Sequence, residues 1–281
     1  MKPKTIFDVG MNNGDDTAYY LRRGYDVVAI EANPQQVEKV KLRFPQEIKN
    51  GRLTILNVGV AEAEGNIPFW VCDTISEWSS FHREVASRDG APHHEILVPC
   101  RRFASIVKEF GVPYYLKVDI EGNDGLCLNA LRGGLLPQFV SVETSDLTLL
   151  DLMAELGYTR FKTISQFHYL PLELPATPEQ ISYEKAQRQL KALGPLTRVL
   201  RKTPARRLLE RLGNKSRTEG DWVFPFGSSG PFGDKLPGRW QSHKEMRETF
   251  ETFQKMMRSG QKSPFWSDKE YSFWADFHAA K

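Results

Sequence analysis

The stretch TIFDVGMNNGDDTAYYLRRGYDVVAIEANP, from Thr5 to Pro34, decides the fold of this chain. An apolar strand runs into a loop with two glycines, Gly10 and Gly14, and a helix with acidic residues in its first turn follows. A second apolar strand then ends in a carboxylate, Glu31. A strand, a glycine loop, a helix and a second strand with an acidic end are typical of an open α/β sheet that binds a nucleotide-like cofactor.

Strands and helices continue to alternate as far as residue 167. The later strands, in LNVGVA, LKVDIEG and FVSVET, are apolar on both sides, which is typical of strands buried between two layers of helices. GNIPFWVCDT and HEILVPC interrupt this alternation and predict an added β-hairpin, joined by a polar loop from about Ser76 to His94. The sequence therefore predicts a Rossmann-like α/β fold with a mostly parallel sheet and helices on both faces.

The pattern predicts three parts: a cofactor-binding core over 1–170, a basic helical insertion over 171–219, and a C-terminal part over 220–281. In the last part, GDWVFPFG predicts a final core strand, placed beside TRFKTISQF. The loop GSSGPFG follows and is interpreted either as the hinge of a lid or as a surface turn. A helix from about Lys244 to Arg258 and an aromatic tail complete this extension.

The bulk composition indicates a soluble protein of the cytoplasm. The chain has 281 residues and no apolar run of the length that a membrane span needs, and its N-terminus does not read as a signal peptide. Its three cysteines are far apart in the sequence, so we expect neither a disulfide framework nor a cysteine metal site.

The charge is distributed unevenly. Lys185–Arg217 contains eleven basic residues and one acidic residue, a local charge of +10, which leaves −7 for the rest of a chain whose total is +3. This stretch is either a solvated pair of helices or a cap over the acceptor site that attracts an anionic or lipid-linked acceptor. Because the remaining body is acidic and carries no recognised binding module, we expect no nucleic-acid partner.

The C-terminal tail is rich in aromatic residues. Such side chains are too many for an exposed end, so we expect them to pack on the core or on a second subunit, which would make a homo-oligomer. The residues concerned are Phe265, Trp266, Phe273, Trp274 and Phe277.

The glycine loop favours one kind of cofactor. A dinucleotide fingerprint needs a third glycine between the outer two, where the backbone contacts a pyrophosphate, but Met11–Asn13 separate Gly10 from Gly14 here. A ligand without a pyrophosphate fits better, and S-adenosylmethionine is such a ligand. The loop would present amides to its carboxylate, Thr17 would add a hydroxyl, and Glu31 would accept hydrogen bonds from both ribose hydroxyls.

The segments FDVGMNNGDDT, VVAIEANP, LNVGVAEAEG, LKVDIEGND and VSVE together resemble the FkbM family of S-adenosylmethionine-dependent methyltransferases, over roughly Thr5 to Phe167. The resemblance implies a class I methyltransferase fold. It also implies methyl transfer to an oxygen, less often a nitrogen, of a sugar, glycan, polyketide or similar product. The candidate cofactor-binding residues, from the loop and from the resemblance, are Asp8, Gly10, Asn12, Asn13, Gly14, Thr17, Glu31, Asn57 and Gly59.

Acidic residues follow the strand in LKVDIEGND. Asp119 and Glu121 are two positions apart, so on an extended chain they would point to the same side, and clustered carboxylates suit a general base. Glu143 and His168 follow later strands and reach the same edge of the sheet, which makes them further catalytic candidates. Alternatively, Asp119 and Glu121 cap the next helix or face Lys117. The three carboxylates could hold Mg²⁺, but the spacing does not require a metal, and none is predicted.

Two other functions remain as alternatives to a methyltransferase acting on a hydroxyl. A nucleotide-dependent oxidoreductase is disfavoured by the missing middle glycine and by the lack of a Tyr-x-x-x-Lys pair near a serine. A catalytically silent protein that keeps the fold is disfavoured because the cofactor loop and the acid cluster are both intact.

Overall fold

The computed structural model describes residues 4–144, 146–166, 169–178, 181, 218–225, 227–259 and 274–281. The chain forms two compact units, one of Met1–Tyr158 with Ala279–Lys281 and one of Thr159–His278. Some residues singled out from the sequence lie outside the described ranges: the basic stretch Lys185–Arg217, His168, Phe265, Trp266 and Phe273.

The first unit is a parallel sheet with helices in the connections between its strands. Strands β3, β2, β1, β7 and β8 lie side by side in that order, and all four pairings are parallel. The end of the last strand of the chain, at Ala279 and Ala280, also belongs to this unit, and that strand is the neighbour of β8. The predicted Rossmann-like fold is confirmed. The elements of this unit are β1 (Thr5–Val9), α1 (Asp15–Arg22), β2 (Asp26–Ile30), α2 (Pro34–Arg43), α3 (Pro45–Lys49), β3 (Leu53–Leu56), β4 (Gly59–Val60), β5 (Gly65–Cys72), α4 (Arg83–Ala86), β6 (His93–Arg101), α5 (Phe103–Phe110), β7 (Tyr115–Val118), α6 (Asp124–Asn129), β8 (Phe139–Glu143) and α7 (Leu147–Leu156).

Local sequence signals set the ends of the helices. Asn33 caps α2 by accepting a hydrogen bond from the amide of Gln35, with Pro34 as the first helical residue. Asp146 caps α7 in the same way through the amide of Thr148, and Gly157 ends α7 in the left-handed conformation. These caps fix where α2 begins after β2 and where α7 begins after β8.

The predicted hairpin is also confirmed. Strands β5 and β6 pair antiparallel from Gly65 opposite Cys100 to Cys72 opposite His93, and β4 joins β6 to complete a three-stranded sheet. One face of this small sheet is buried through a cluster of Phe69, Val71, Val98 and Cys100, against which Phe81 packs. We call residues 73–92, which connect β5 to β6, the hairpin loop.

In the second unit the final core strand differs from the prediction. Its elements are β9 (Arg160–Ser165), β10 (Thr218–Glu219), β11 (Trp222–Val223), α8 (His243–Arg258) and β12 (Ala275–Ala280). The strand in GDWVFPFG was expected beside β9, but it is β11, which pairs antiparallel with β10 in a two-stranded sheet. The neighbour of β9 is β12 instead. All six residues of β12 are buried, although ADFHAA is poor in residues that favour strands.

The glycine-rich loop of this unit is packed inside, so it is not a surface turn. Ser228 and Ser229 are buried, and the hydroxyl of Tyr169 donates a hydrogen bond to the carbonyl oxygen of Ser228 at 2.9 Å. Gly230 has no room for a side chain, because a Cβ atom would lie 2.5 Å from the Tyr169 ring. Phe277 is buried and contacts Phe250 of α8, so this residue of the aromatic tail packs on the core, as expected.

Among the described residues, we find no helix with the length and apolar character that crossing a membrane requires.

Candidate active site

The parallel strands of the first unit end at the same level. Val9 pairs with both Ile30 and Val118, and Val118 pairs with Val142, so these four residues form a row across the sheet. The residues that follow them therefore emerge at one edge, where open α/β sheets bind their ligands. This register places residues 10–14, which we call the cofactor loop, at the same edge as Glu31 and the acidic residues at the ends of β7 and β8.

The cofactor loop requires both of its glycines. Gly10 has a φ of +82° and lies against the carbonyl group of Asp119, so a side chain there would collide with the backbone that follows β7. Gly14 has a φ of +79° and precedes α1, with Val40 and Phe44 packed against it. Between them, Asn12 also adopts the left-handed conformation, with a φ of +47°. The tight turn expected at Gly10 is present.

Glu31 is held in one position by the backbone. Its Oε2 accepts a hydrogen bond from the amide of Asn12 at 2.8 Å, and its Oε1 accepts one from the amide of Asn33 at 2.8 Å. Asn57 donates to the carbonyl oxygens of Glu31 and Ala32 and so fixes the backbone here. Burial raises the pKa of Glu31, while the two amides oppose that rise. Each carboxylate oxygen keeps a further lone pair, which fits a ligand with two neighbouring hydroxyls such as a ribose.

Asp8 and Thr17 lie beneath the cofactor loop. The Thr17 hydroxyl donates to Oδ2 of Asp8 at 2.6 Å, and both residues are completely buried. The ammonium of Lys117 lies 3.5 Å from Oδ1 of Asp8 and donates to the carbonyl oxygen of Gly10 at 2.8 Å. Burial raises the pKa of Asp8, with Lys117 acting in the opposite direction. In this geometry Asp8 and Thr17 support the loop from inside.

Two other cofactor candidates have clear neighbours. The side-chain oxygen of Asn13 accepts a hydrogen bond from the amide of Asp15, which ties the loop to the start of α1. Gly59 lies in β4, with Phe81 so close that a Cβ atom would collide with its ring. The packing of the small sheet therefore requires a glycine at position 59.

Three of the four catalytic candidates come together. Oxygen atoms of Asp119, Glu121 and Glu143 all lie within 4.8 Å of one another, at the ends of β7 and β8. His168, the fourth, lies outside the described residues. The chain is not extended here as the prediction assumed, because Glu121 has a φ of +51°. Asp124 holds this turn by accepting hydrogen bonds from the amides of Ile120 and Gly122.

The sequence offered two other roles for Asp119 and Glu121, capping the next helix or facing Lys117, and the structure shows part of the second. The residue that caps α6 is Asn123, so neither Asp119 nor Glu121 caps that helix. Asp119 does face Lys117, with its Oδ2 3.7 Å from the ammonium, and its side chain is 39% exposed. The side chain of Glu121 is only 12% exposed and forms an ion pair with Arg88 at 3.0 Å.

The environment of Glu121 changes its acidity. Burial is the largest cause and the negative charge of Asp119 the next, and together they raise the pKa of Glu121 to about 7, against the attraction of Arg88. Glu121 thus exchanges a proton near neutral pH, as a general base should. The three carboxylates are also oxygen ligands of the kind that Mg²⁺ prefers, so this cluster is where a divalent cation could bind.

Sequence reasoning missed the hairpin loop as part of this site. The hydroxyl of Ser76 donates to Oδ1 of Asn12 at 3.0 Å, and the hydroxyl of Ser80 donates to the carbonyl oxygen of Glu121 at 2.7 Å. Arg88, in the same loop, forms the ion pair with Glu121. These residues lie some 30 to 65 positions from their partners along the chain, and the only signal was the polar character of the loop.

A model of the methyltransferase FkbM domain matches residues 8–159, which is more than half of the chain and includes the cofactor loop and the acid cluster. The chain belongs to the FkbM methyltransferase family. Its methyl donor is therefore S-adenosylmethionine, and the predicted family, fold and cofactor are confirmed. This FkbM-family assignment sets aside the oxidoreductase alternative.

Solved structures of other methyltransferases resemble this FkbM-family chain weakly. The C-terminal domain of precorrin-6Y C5,15-methyltransferase from Rhodobacter capsulatus is 10% identical, with a TM-score of 0.33, over 56% of this chain and 61% of that chain. Precorrin-6Y C5,15-methyltransferase from Geobacter metallireducens GS-15 is 11% identical, with a TM-score of 0.33, over 58% of this chain and 68% of that chain. The third structure is 1,6-didemethyltoxoflavin-N1-methyltransferase from Burkholderia thailandensis, with bound 1,6-didemethyltoxoflavin and S-adenosylhomocysteine. It is 15% identical, with a TM-score of 0.29, over 57% of this chain and 62% of that chain.

The match thus spans between 61% and 68% of the length of these solved chains. No curated protein matches this chain.

Proposed function

We propose that this protein methylates a hydroxyl group of a sugar, glycan or related natural product, with Glu121 as the group that accepts the hydroxyl proton. The observation that carries the proposal is the meeting of Asp119, Glu121 and Glu143 within 4.8 Å, at the edge of the sheet that also carries the cofactor loop. A base placed beside the donor site is what methylation of a hydroxyl requires.

The chemistry of the acceptor explains this need. When bound, S-adenosylmethionine supplies a methyl group on a positively charged sulfur, which leaves as a neutral thioether. A hydroxyl is a weak nucleophile unless its proton is removed as its oxygen bonds to the methyl carbon. Glu121 can take that proton, since its pKa of about 7 keeps much of it ionised and basic at neutral pH. A neutral amine already offers a free electron pair, so the cluster favours an oxygen acceptor.

The other two carboxylates suit positioning. Asp119 is more exposed than Glu121, and its Oδ2 faces the ammonium of Lys117. Its other oxygen can accept a hydrogen bond from a second hydroxyl of the acceptor. Glu143 approaches from the neighbouring strand β8. Two carboxylates around one base would orient a polyol, and orientation alone lowers a barrier by about 7–11 kcal/mol in favourable cases.

On the donor side, we assign the ribose hydroxyls to Glu31. Support comes from its fixed carboxylate, with two backbone amides on one side and lone pairs left on the other. The amides of Gly10 and Met11 in the cofactor loop already donate to the carbonyl oxygen of Ile30, and the amide of Gly14 donates to that of Met11, so these amides are not presented to the donor carboxylate as the sequence suggested. Asp8 and Thr17, which are buried, keep this loop in place rather than contacting the donor.

The test is product analysis with the full chain. Purified protein and S-adenosylmethionine are incubated with panels of saccharides, nucleotide sugars and hydroxylated polyketides, and with matched amines, while S-adenosylhomocysteine release and product mass are followed. Glu121→Gln should lower turnover by about 10²–10⁴ and leave S-adenosylhomocysteine affinity unchanged. Glu155→Gln, an exposed glutamate paired with Arg132, is the control and should behave like the wild type.

Three results would contradict the proposal. An N-methylated product would move the acceptor atom from oxygen to nitrogen. Normal turnover by both Glu121→Gln and Asp119→Asn would place the base elsewhere, with His168 as the next candidate. Tight binding of S-adenosylhomocysteine without turnover of any acceptor in the panel would favour the catalytically silent alternative.

A further inference from the structure

The turn after β7 puts Glu121 in a backbone conformation that is unfavourable for a residue with a side chain. Its φ is +51°, in the left-handed region, where the Cβ atom crowds the following carbonyl oxygen. A residue other than glycine keeps a left-handed φ only where its surroundings hold it there, and such residues concentrate at functional sites. The position of Glu121 therefore depends on the contacts of this turn.

Two neighbours hold the turn from opposite sides. On the side of α6, the carboxylate of Asp124 accepts hydrogen bonds from the amides of Ile120 and Gly122, both at 3.2 Å, so the amides before and after Glu121 are fixed. On the other side lies the hairpin loop. The hydroxyl of Ser80, in this loop, donates to the carbonyl oxygen of Glu121 at 2.7 Å.

Ser80 is itself well fixed. It is completely buried, and its backbone exchanges two hydrogen bonds of 2.9 Å with Trp70 of β5. Its hydroxyl oxygen accepts a hydrogen bond from the amide of His82 at 3.0 Å, which leaves the hydroxyl proton for the carbonyl oxygen of Glu121. The Ser80 hydroxyl thus has one orientation, directed at the turn.

A second contact of the hairpin loop lies beside the first. The ring of His82 covers Gly122, where a Cβ atom would come within 2.7 Å of the ring, and its Nε2 lies 3.3 Å from Oδ1 of Asn123. The side-chain amide of Asn123 donates in turn to the carbonyl oxygen of Val60 in β4, at 3.1 Å. The turn from 121 to 123 is therefore packed against the small sheet and its loop.

We propose that Ser80 is a positioning residue for methyl transfer, which holds the turn after β7 and so aims the Glu121 carboxylate at the acceptor. The inference rests on the proposed function, because it takes Glu121 as the proton acceptor. Since φ sets the direction of the Cα–Cβ bond, relaxation of Glu121 to a negative φ would redirect its side chain relative to Asp119 and Glu143. A displacement of about 1 Å at a reacting group can cost about 100-fold in rate.

Hydrogen exchange of the full-length protein tests the contact without any acceptor. The amides of Ile120 and Gly122 donate to Asp124, so their protection, measured by NMR, reports how often the turn opens. Loss of a hydrogen bond of ordinary strength corresponds to about a 2- to 12-fold change in such an equilibrium. We expect Ser80→Ala to lower the protection of both amides by about this factor, and Ser80→Cys, whose thiol is a weaker donor, to lower it less.

Ser79→Ala is the matched control. Ser79 precedes Ser80 in the hairpin loop, but its hydroxyl oxygen accepts a hydrogen bond from the amide of Cys72, within the hairpin itself, at 3.2 Å. This variant should leave the protection of Ile120 and Gly122 at the wild-type level. Thermal unfolding verifies that each variant is folded. Unchanged protection in a folded Ser80→Ala protein would overturn the proposal, and so would a loss that Ser79→Ala reproduces.

Activity separates positioning from a general structural role. With a hydroxyl acceptor found in the panel above, Ser80→Ala should lower kcat by about 10- to 100-fold. The Kd for S-adenosylhomocysteine and the KM for the acceptor should stay within about twofold of wild type, and Ser80→Cys should recover part of kcat. A wild-type kcat in Ser80→Ala would overturn the proposal. A comparable loss of donor affinity would also overturn it, by making the role of Ser80 a structural one.

A double variant shows whether Ser80 acts through Glu121. In a Glu121→Gln background, Ser80→Ala should lower kcat by no more than about twofold further, because the group that it positions is gone. The full loss in that background would overturn the proposal. Failure of the proposed function is distinguishable, since Glu121→Gln alone would then keep the wild-type rate, whatever Ser80→Ala does to the protection of the turn.

Discussion

The backbone of Gly10 lies directly against the carbonyl group of Asp119, so the first residue of the cofactor loop touches the first residue after β7. Lys117 strengthens this contact, since its ammonium binds the carbonyl oxygen of Gly10 and faces the Asp119 carboxylate. The cofactor loop and the acid cluster are therefore parts of one packed structure.

Gly10→Ala should destabilise the protein strongly. A Cβ atom would collide with the Asp119 carbonyl group, and the φ of +82° disfavours any side chain. Gly24→Ala is the control, because Gly24 has nearly the same φ, +86°, and nothing within 4 Å of its Cβ position. We expect a loss of about 1–2 kcal/mol for Gly24→Ala from the backbone alone, and more than about 4 kcal/mol for Gly10→Ala. Urea unfolding compares them, and equal losses would refute the close contact.

Glu31→Ala should weaken donor binding. The substitution removes the partner of the Asn12 and Asn33 amides and the proposed acceptor for the ribose hydroxyls. A cost of about 1–3 kcal/mol corresponds to roughly a 5- to 150-fold increase in the Kd for S-adenosylhomocysteine. Isothermal calorimetry measures it, with Glu38→Ala on the exposed side of α2 as the control. Wild-type affinity in a folded Glu31→Ala protein would remove Glu31 from the donor site.

Glu121→Gln should gain stability as it loses activity. The pKa of Glu121 is about 7 in the folded protein against an ordinary value of 4.5, so between these pH values the folded chain retains a proton that the unfolded chain has released. Ionisation of Glu121 therefore destabilises the wild type as pH rises, with the full cost present above about pH 7. We expect the variant to be more stable at pH 8 by roughly 1–3 kcal/mol, and by little at pH 5.

Chemical unfolding at the two pH values measures this difference. Glu155→Gln, on the surface, should show no such pH dependence relative to the wild type. An equal effect of Glu121→Gln at pH 5 and pH 8 would mean that the wild-type carboxyl does not titrate in this interval.

The basic stretch allows a prediction from the sequence alone. If the charge of +10 in Lys185–Arg217 attracts an anionic acceptor, raising salt should increase the KM for that acceptor, because the Debye length falls from about 10 Å at 0.1 M to about 3 Å at 1 M. Replacing Arg201, Lys202, Arg206 and Arg207 together by Gln should have the same effect, with donor affinity nearly unchanged. A KM that responds to neither change would assign these residues to solubility.

The sequence predicted the parts of the site that local pattern controls. Gly10, Gly14 and Glu31 occur at strand ends and turns, where glycine and acidic residues have a direct conformational or chemical reason. The parallel register then places Glu143 beside Asp119 without further information. Arg88 could not be predicted in this way, because its contact depends on how a 20-residue loop folds back over the sheet.

The misplaced final strand has a similar physical origin. The aromatic residues of GDWVFPFG favour a strand locally, and Trp222–Val223 do form one, but its partner is the adjacent segment. ADFHAA has little local preference for a strand, yet it forms β12 and all six of its residues are buried. Tertiary burial outweighs local propensity in such cases.

The two ends of the hairpin loop are one hydrogen bond apart, at Asp73 and Pro92. A segment that leaves and re-enters a protein at the same place can change in length at its exposed positions without moving the strands beneath it. Evolution, or a protein engineer, could therefore exchange these residues as a cassette. Such grafts between relatives would also exchange Ser76 and Ser80, whose hydroxyls contact the cofactor loop and the turn after β7.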